Sequence, residues 1–538
     1  MRMKSLFAVV LALAVSAVAG GWFGTAALAT QDRVPAHYRA FTTALAAIES
    51  QYAEEVESDR LVYGAINGML QTLDPHSNFM DPRSYAQMRE RQEGRYYGLG
   101  VTIQAPNGDI TAVRVFEGSP AHDKGIRRGD VIAEIEGKST KGWTTEDAVG
   151  KLRGKKGTSV NIGIRRKGLD QLIPMNVMRD QVSIPSLSAV FMIDEQTGYV
   201  GITDFAEHTD EDLGDALESL TKKGMKRLVL DLRSNPGGQL DQAIRIANRF
   251  LSKGAMVVYT RGRVPNSDQD YHATDAPEYG TVPMITLVNR SSASASEIVS
   301  GALQDHDRSL IIGETTFGKA LVQSVYRVSG GAGLALTTAR YYTPSGRLIQ
   351  RPWDGTFDEY LTYTMKDQSQ RTHTDDQLKY TDGGRKVYSG GGIEPDERFE
   401  GPIEGFNPTR FGRSLFNRGL FATYAEQFYY DADTRPGSKS PNFKYVKKNF
   451  EATPEMVAEF KKFVISRNTK MDEDAWNKDL DFIKAMVRFE IDQAVFDIAT
   501  ARQHLTSADP QARYALTRFS EAEKLSQLSR GKSSRIGQ

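Results

Sequence analysis

Apolar residues follow two kinds of spacing along this chain, and the change from one to the other marks its elements. Short, mostly apolar runs at residues 228–232, interrupted only by Asp231, and at residues 284–288 are typical of buried strands. After each run, apolar residues recur every three or four positions, at residues 240–251 and 298–303, which indicates a helix. This alternation continues to about residue 350. We therefore predict an α/β core built from βαβ units.

Different patterns flank the core. Helical spacing from Phe41 to Leu73 predicts a small helical region, and the glycine-punctuated stretch from residue 98 to the alternating strand at residues 160–164 predicts an α+β module. Helical patterning returns from about residue 405, with Thr453-Pro454-Glu455 as a helix start. The apolar face of these last helices fits ordinary core or a contact between protomers, and the sequence leaves both open. It comprises Trp476, Ile483, Val487, Ile491, Ala494 and Ile498.

The turn after the second apolar run carries a candidate nucleophile. Ser294 lies between a predicted strand and a predicted helix, and Ser294 with Glu297 has the spacing of a capping box. The first amides of a helix have no partner within the helix, so they can face a developing oxyanion. A serine at such a turn is suited to attack a carbonyl group, provided that a base removes its proton.

Lys319, twenty-five residues after Ser294, is the candidate base. A lysine amine titrates near pH ~10.4 in water, and apolar burial lowers that value towards the ~7 to 8 useful for a general base. Gln323 lies an even number of residues later, so on an extended strand it would face the same side and orient the amine through its carbonyl oxygen. Taken alone, each half of this pattern also fits a capped helix and a solvated lysine.

A glycine pair follows the first apolar run. Arg233-Ser234-Asn235-Pro236 breaks the strand, and Gly237 and Gly238 come next. Because glycines at the carboxyl end of a strand let backbone amides approach a ligand closely, Gly237 is a candidate oxyanion donor beside the amide of Ala295.

Two other chemistries fit parts of this pattern less well. Residues 313–319 have P-loop spacing, but Ala320 occupies the position where that loop needs a hydroxyl for magnesium. A histidine base would place His306 about 18 Å along the helix from Ser294, at ~1.5 Å per residue. His208 and His76 are not excluded by sequence, and we expect both to be polar surface residues.

Together these motifs resemble the carboxyl-terminal processing, or tail-specific, proteases of peptidase family S41. The resemblance covers residues 35–400 and includes Tyr342-Thr343-Pro344-Ser345-Gly346-Arg347. It implies a serine–lysine dyad endopeptidase, and it assigns roles to seven residues. Ser294 is the implied nucleophile, Lys319 the base and Gln323 its orienting group, Gly237 and Ala295 form the oxyanion hole, and Asp305 and Gly238 are supporting residues. Ala320 departs from the glycine of many members.

The same resemblance predicts a PDZ domain from Gly98-Leu99-Gly100-Val101 onward. Such a domain binds an extended peptide by strand addition, and the amides of its glycine-rich loop hold the terminal carboxylate. We therefore expect Gly98, Leu99, Gly100 and Val101 to bind the substrate tail. The implied partners are proteins or peptides with free C-terminal tails, with an envelope adaptor or activator protein and self-association as further expectations.

Composition sets the remaining bounds. The chain has 538 residues, 68 basic and 68 acidic, which suggests several domains and no nucleic-acid partner. Arg2 and Lys4 precede an apolar stretch and Ala27-Leu28-Ala29, which predicts a signal peptide and export to a bacterial periplasm or cell envelope. The absence of cysteine excludes thiolate chemistry, and no motif requires a metal or cofactor.

We predict a multidomain α/β protein in five segments. They are the signal peptide (1–29), the N-terminal helical region (30–92), the PDZ domain (93–170), the S41 peptidase core (180–400) and the C-terminal helical extension (401–538). The alternative function is a catalytically silent PDZ-type binding scaffold of the cell envelope, although Ser294, Lys319 and Gln323 are all intact.

Overall fold

The computed structural model describes residues 33–105, 108–353, 357–362, 372–431 and 446–536. The predicted signal peptide, residues 1–29, lies outside them. The chain divides into two compact units. The first contains the described residues up to Asp81 together with Tyr326–Ala335, and the second contains Pro82–Val325 and everything from Leu336 onward.

The first unit is the predicted N-terminal helical region with a short strand pairing. Its helices are α1 (Arg33–Gln51) and α2 (Ser58–Gln71), followed by β1 (Asn78–Met80). Strand β1 pairs antiparallel with the start of a later strand, placing Asn78 opposite Ala335 and Met80 opposite Gly333. The turn before β1 is closed by Asp74, whose carboxylate accepts hydrogen bonds from the backbone and hydroxyl of Ser77.

The predicted PDZ module opens the second unit, after α3 (Pro82–Glu93). Its five-strand path runs β3-β4-β5-β7-β8, while β2 pairs with β9 and β6 with β5. Its core is formed by fully buried residues such as Ile110, Ile132, Val160 and Val177. The elements are β2 (Arg95–Gly98), β3 (Val101–Gln104), β4 (Thr111–Val115), α4 (Pro120–Asp123), β5 (Val131–Ile135), β6 (Lys138–Ser139), α5 (Thr145–Leu152), β7 (Ser159–Arg165), β8 (Ile173–Met178) and β9 (Asp180–Ser183).

A six-stranded sheet of order β10-β11-β12-β15-β16-β21 forms the core that the apolar runs predicted. In this sheet β11, β12, β15, β16 and β21 run parallel to one another, and the edge strand β10 pairs antiparallel with β11. These elements are β10 (Leu187–Met192), β11 (Thr197–Ile202), α6 (Thr209–Lys222), β12 (Arg227–Asp231), α7 (Leu240–Asn248), β15 (Met284–Val288), α8 (Ala295–Asp305), β16 (Leu310–Gly313) and β21 (Glu397–Arg398).

Six further strands and one short helix of the described residues lie outside this sheet. Strand β18 pairs antiparallel with β13 and also with β17, and β19 pairs with β20. They are β13 (Met256–Arg261), β14 (Gln269–His272), β17 (Leu321–Arg327), β18 (Gly333–Tyr342), α9 (Phe357–Thr362), β19 (Leu378–Tyr380) and β20 (Lys386–Tyr388).

The C-terminal extension is helical, as predicted. Its helices are α10 (Arg410–Asn417), α11 (Leu420–Asp431), α12 (Pro454–Ser466), α13 (Glu473–Lys478), α14 (Leu480–Val495), α15 (Ile498–Ala508), α16 (Pro510–Leu516) and α17 (Phe519–Ile536). Within it, Phe421, Phe460 and Trp476 pack in one buried cluster with Ile483, Val487 and Ile491. The apolar face noted in the sequence therefore lies in ordinary core.

The extension also completes the core of the sheet. Side chains alternate along β12, so Leu228 and Leu230 pack with helices α6 to α8, while Val229 packs on the opposite face. Ala515, Phe519, Ala522 and Leu525 of the last two helices cover that opposite face. The sheet is thus enclosed on both sides, as parallel sheets require, and the fold class predicted from the sequence is confirmed. None of the described helices combines the length and the hydropathy that a bilayer span needs.

Candidate active site

Three loops leave the central sheet on the side where its parallel strands end. Strands β12, β15 and β16 are parallel neighbours, so the loops that follow Asp231, Val288 and Gly313 all start at one edge. These loops carry the predicted oxyanion glycine, nucleophile and base, in that order. Ligand sites of open α/β sheets lie at the carboxyl ends of the strands, and the candidate residues lie there.

Ser294 has a strained backbone at the start of α8. Its dihedrals are φ 53° and ψ −111°, a region that residues other than glycine rarely adopt. Such strain costs about 1–3 kcal/mol and persists only where the surroundings hold it in place. The helix that follows is buried along its whole length. The turn therefore presents Ser294 between strand and helix, as the sequence predicted.

Glu297 holds the nucleophile loop and the base loop together. One of its carboxylate oxygens, Oε2, accepts the backbone N–H of Ser294 at 2.8 Å and that of Lys319 at 2.9 Å. The other, Oε1, accepts the hydroxyl of Thr316 at 2.5 Å and the N–H of Gly318 at 2.6 Å. The side chain is fully buried. The sequence identified Glu297 as a cap but missed its bridging role.

Tyr341 makes a second bridge between the same two residues. Its hydroxyl lies 2.5 Å from the carbonyl oxygen of Lys319 and 3.2 Å from that of Ser294. Burial raises the pKa of this phenol well above its usual value, so the group is a hydrogen-bond donor at any physiological pH. Sequence analysis missed Tyr341, because nothing in its spacing distinguishes it from the neighbouring Tyr342 of β18.

Lys319 meets its predicted partner. Its side-chain nitrogen, Nζ, lies 2.9 Å from Oε1 of Gln323. Gln323 is on β17, whereas Lys319 precedes that strand by two residues, so the contact does not depend on a shared strand face. Ala320, the departure from the family pattern, is completely buried beside it.

The predicted oxyanion residues are adjacent, but one amide is already engaged. A Cβ atom on Gly237 would lie 2.8 Å from Cβ of Ser294 and 2.9 Å from the nitrogen of Ala295, and the φ of Gly237 is 99°. Only glycine fits this position. The N–H of Gly237 donates to Oδ1 of Asn235 at 2.9 Å. To stabilise an oxyanion, this amide has to exchange that hydrogen bond.

The two predicted supporting residues contact the framework of the site. Asp305, at the far end of α8, is buried and accepts hydrogen bonds from the Arg347 guanidinium and, at 2.9 Å, from the N–H of Ser345. At Gly238, a Cβ atom would lie 2.3 Å from the carbonyl oxygen of Phe205. Gly238 therefore allows close packing beside the oxyanion glycine, whereas Asp305 holds Ser345 and Arg347 at the end of α8 opposite to Ser294.

His306, the histidine considered as an alternative base, lies away from Ser294. The ring nitrogens of His306 bond to Asp382 and to the carbonyl oxygen of Met256, both at the opposite end of α8 from Ser294. Across the described ranges, no three His, Cys, Asp or Glu side chains cluster as metal ligands.

The predicted tail-binding loop is tightly packed. Leu99 is buried, and the carbonyl oxygens of Leu99 and Gly100 accept hydrogen bonds from Ala121 and Phe116. Tyr96 lies against this loop. Burial raises the pKa of its phenol, whereas Arg153 and the backbone amides of Gly100 and Val101 act in the opposite direction. The loop expected to hold a terminal carboxylate therefore packs against Tyr96, whose ring would lie 2.9 Å from a Cβ atom on Gly98.

Comparison with known proteins agrees with this geometry. The family model of peptidase family S41 matches residues 196–356, that of the PDZ domain matches residues 111–166, and that of the activating protease CtpB N-terminal domain matches residues 25–84.

Two relatives are similar in sequence over 56% of this chain. The carboxy-terminal-processing protease of Bartonella bacilliformis is 40% identical over 307 residues, which are 70% of its length. The carboxy-terminal processing protease CtpA of Bacillus subtilis is 37% identical over 305 residues, or 65% of its length. The solved photosystem II D1 C-terminal processing protease is 31% identical, with a TM-score of 0.33, over 57% of this chain and 83% of that one.

The sequence matches define the class, a serine-type peptidase with a PDZ domain. The chain belongs to peptidase family S41, with the carboxy-terminal processing proteases as its relatives. The C-terminal helical extension lies beyond the three matched family segments.

The pH dependence of stability tests the state of Glu297. Burial raises the pKa of this carboxyl from 4.5 to about 7, against four hydrogen bonds that lower it. The folded protein therefore binds this proton more tightly than the unfolded chain does. The stability due to this difference is present below pH 4.5 and is lost as the pH rises to about 7.

We expect the free energy of unfolding of the wild type, relative to Glu297→Gln, to fall by about 3 kcal/mol across that window, at ~1.4 kcal/mol per unit. Urea denaturation at a series of pH values measures it. The difference should be constant above the window, which serves as the internal control. A difference independent of pH from 4.5 to 7 would contradict the raised pKa.

Proposed function

We propose that this protein is an exported serine endopeptidase that cleaves protein substrates with a Ser294–Lys319 dyad and selects them by their C-terminal tails. One observation carries the catalytic half of this proposal. Glu297 and Tyr341 each bond to backbone atoms of both Ser294 and Lys319, which supports a dyad formed by these two residues. The bond from Lys319 to Gln323 orients the side chain nitrogen.

The proposed reaction proceeds through an acyl-enzyme. The neutral amine of Lys319 takes the hydroxyl proton of Ser294 as its Oγ bonds to the scissile carbonyl carbon. The amides of Ala295 and Gly237 hold the oxyanion, the latter after exchanging its bond to Asn235. Lys319 then gives its proton to the leaving nitrogen as the C–N bond breaks. Water, deprotonated by the same amine, bonds to the ester carbon, and Lys319 returns this proton to Oγ of Ser294 as the acyl C–O bond breaks.

Removing either member of the dyad should abolish cleavage. We expect Ser294→Ala and Lys319→Ala each to lower kcat by about 10⁴-fold or more on an unfolded substrate with an apolar free C-terminus, since neither half functions without the other. Lys253→Ala, which changes an exposed lysine, is the matched control and should leave kcat unchanged. Ser294→Ala and Lys319→Ala should keep the far-UV circular dichroism of the wild type. Persistent cleavage by either of these folded variants would refute the dyad. If the wild type itself does not cleave the substrate, the result would favour a silent scaffold.

The PDZ domain supports recognition of a free carboxylate. Its glycine-rich segment Gly98-Leu99-Gly100-Val101 is the kind of loop whose amides hold a terminal carboxylate in such domains. A PDZ domain implies peptide partners, and the match to the N-terminal domain of an activating protease supports an activator among them. Self-association is a further part of the proposal.

Neutralising the tail carboxylate should weaken recognition without changing the chemistry. For two substrates identical except for a carboxylate or an amide at the C-terminus, we expect KM to rise about tenfold for the amide, with kcat within a factor of two. A charge-assisted hydrogen bond is worth about 1.5–3 kcal/mol, which sets this scale. Steady-state kinetics by mass spectrometry measures both constants. Equal KM values would show that the tail carboxylate is not read.

Export is proposed from the first residues of the chain. A basic start, an apolar stretch and Ala27-Leu28-Ala29 predict cleavage after Ala29 and a location in a bacterial periplasm or cell envelope. Mass spectrometry of the protein from fractionated cells should find Thr30 as the first residue in the envelope fraction. An intact N-terminus in the cytoplasmic fraction would exclude this location.

A further inference from the structure

The C-terminal extension reaches the edge of the sheet from which the site loops emerge. Helix α16 begins at Pro510, and the residues on either side of that proline contact the ends of two strands. Gln511 donates through Nε2 to the carbonyl oxygen of Ile312 at 3.2 Å, at the end of β16. Asp509 forms an ion pair with Arg233, two residues after the end of β12. The extension thus contacts the chain where the loop that carries Lys319 and the loop that carries Gly237 begin.

Arg233 is held between two carboxylates in a buried position. Its Nη2 lies 2.6 Å from Oδ2 of Asp231 and 2.6 Å from Oδ2 of Asp509, and its Nη1 donates to Oε1 of Gln511 at 3.1 Å. The side chain of Arg233 is 10% exposed and that of Asp509 is 2% exposed. Because so little water reaches this pair, the position of the guanidinium depends on both carboxylates.

Arg233 is joined directly to the oxyanion loop. The next residue, Ser234, has a strained backbone with φ 58°, and its N–H donates to Oδ1 of Asn289 at 2.9 Å. Asn235 follows, and its carbonyl oxygen accepts the N–H of Ala293, while its side chain oxygen accepts the N–H of Gly237. A shift of Arg233 would therefore disturb the backbone just before Ser294 and the oxyanion glycine Gly237.

We propose that Asp509 is a positioning residue for catalysis, which acts through Arg233 to hold the oxyanion loop against the nucleophile turn. The C-terminal extension then supplies part of the catalytic framework, since Asp509, the second carboxylate bound to Arg233, comes from outside the matched peptidase segment. This inference rests on the proposed function for its kinetic consequence, but its structural consequence stands independently.

The test is the full-length Asp509→Asn variant. Asn caps helices as well as Asp does, so the bonds that Oδ1 of Asp509 accepts from Gln511 and Ala512 are kept. The oxygen atom that faces Arg233 is replaced by an NH2 group, which carries no charge and cannot accept a hydrogen bond from the guanidinium. Asp472→Asn is the matched control, because Asp472 caps α13 in the same extension at an exposed position. Hydrogen exchange of peptides spanning residues 232–239 and 289–295 reports the loops directly.

In Asp509→Asn we expect faster exchange in both peptides and a fall in kcat of about tenfold or more with KM within a factor of two, since small displacements of reacting groups are costly. Asp472→Asn should match the wild type in both respects. If Asp509→Asn does not fold, Gln511→Ala should show the same changes to a smaller degree.

Wild-type exchange and kcat in folded Asp509→Asn would overturn the inference, and so would equal changes in Asp472→Asn. Failure of the dyad proposal would appear instead as activity that survives Lys319→Ala. The exchange measurement does not depend on catalysis, so the two failures are distinguishable.

Discussion

The site depends on one buried carboxylate that accepts four hydrogen bonds. Glu297 receives backbone N–H groups from Ser294, Gly318 and Lys319 and the hydroxyl of Thr316. Hydrogen bonds to a charged group contribute about 1.5–3 kcal/mol each, so the four together exceed the strain of about 1–3 kcal/mol in the backbone of Ser294. The same group therefore keeps the nucleophile turn in its strained form and fixes the position of the base loop. Neither loop can move far without leaving part of a buried carboxylate unpaired.

This constraint needs a rigid sheet beneath it. The three site loops start from adjacent parallel strands whose side chains are buried on both faces. One face is covered by the helices that connect these strands, and the other by residues more than two hundred positions later, in the last two helices. The extension is thus part of the core of the peptidase segment. Its ion pair with Arg233 lies at the same edge of the sheet as Ser294.

Local patterns were sufficient to predict the strands, the helix starts and the serine turn, because each is set by neighbouring residues. The mostly apolar runs at 228–232 and 284–288 predicted buried strands, and Ser294 with Glu297 has the spacing of a cap. The roles of Tyr341 and Asp509 could not be found in this way, since each depends on a contact with a residue distant in the chain. The sequence also indicated that helices near the C-terminus pack into a core, but it contains no signal that they would share the core of the sheet.

One amide that the proposed function uses is bonded internally in this structure. The N–H of Gly237 donates to Oδ1 of Asn235. A ligand that displaces an internal partner gains only the difference between two hydrogen bonds, so a neutral oxygen atom gains little. A carboxylate or an oxyanion gains more, because its bonds to N–H groups are about twice as strong as those of neutral acceptors. Internal partners of this kind therefore favour charged oxygen atoms over the neutral carbonyl groups present in every peptide.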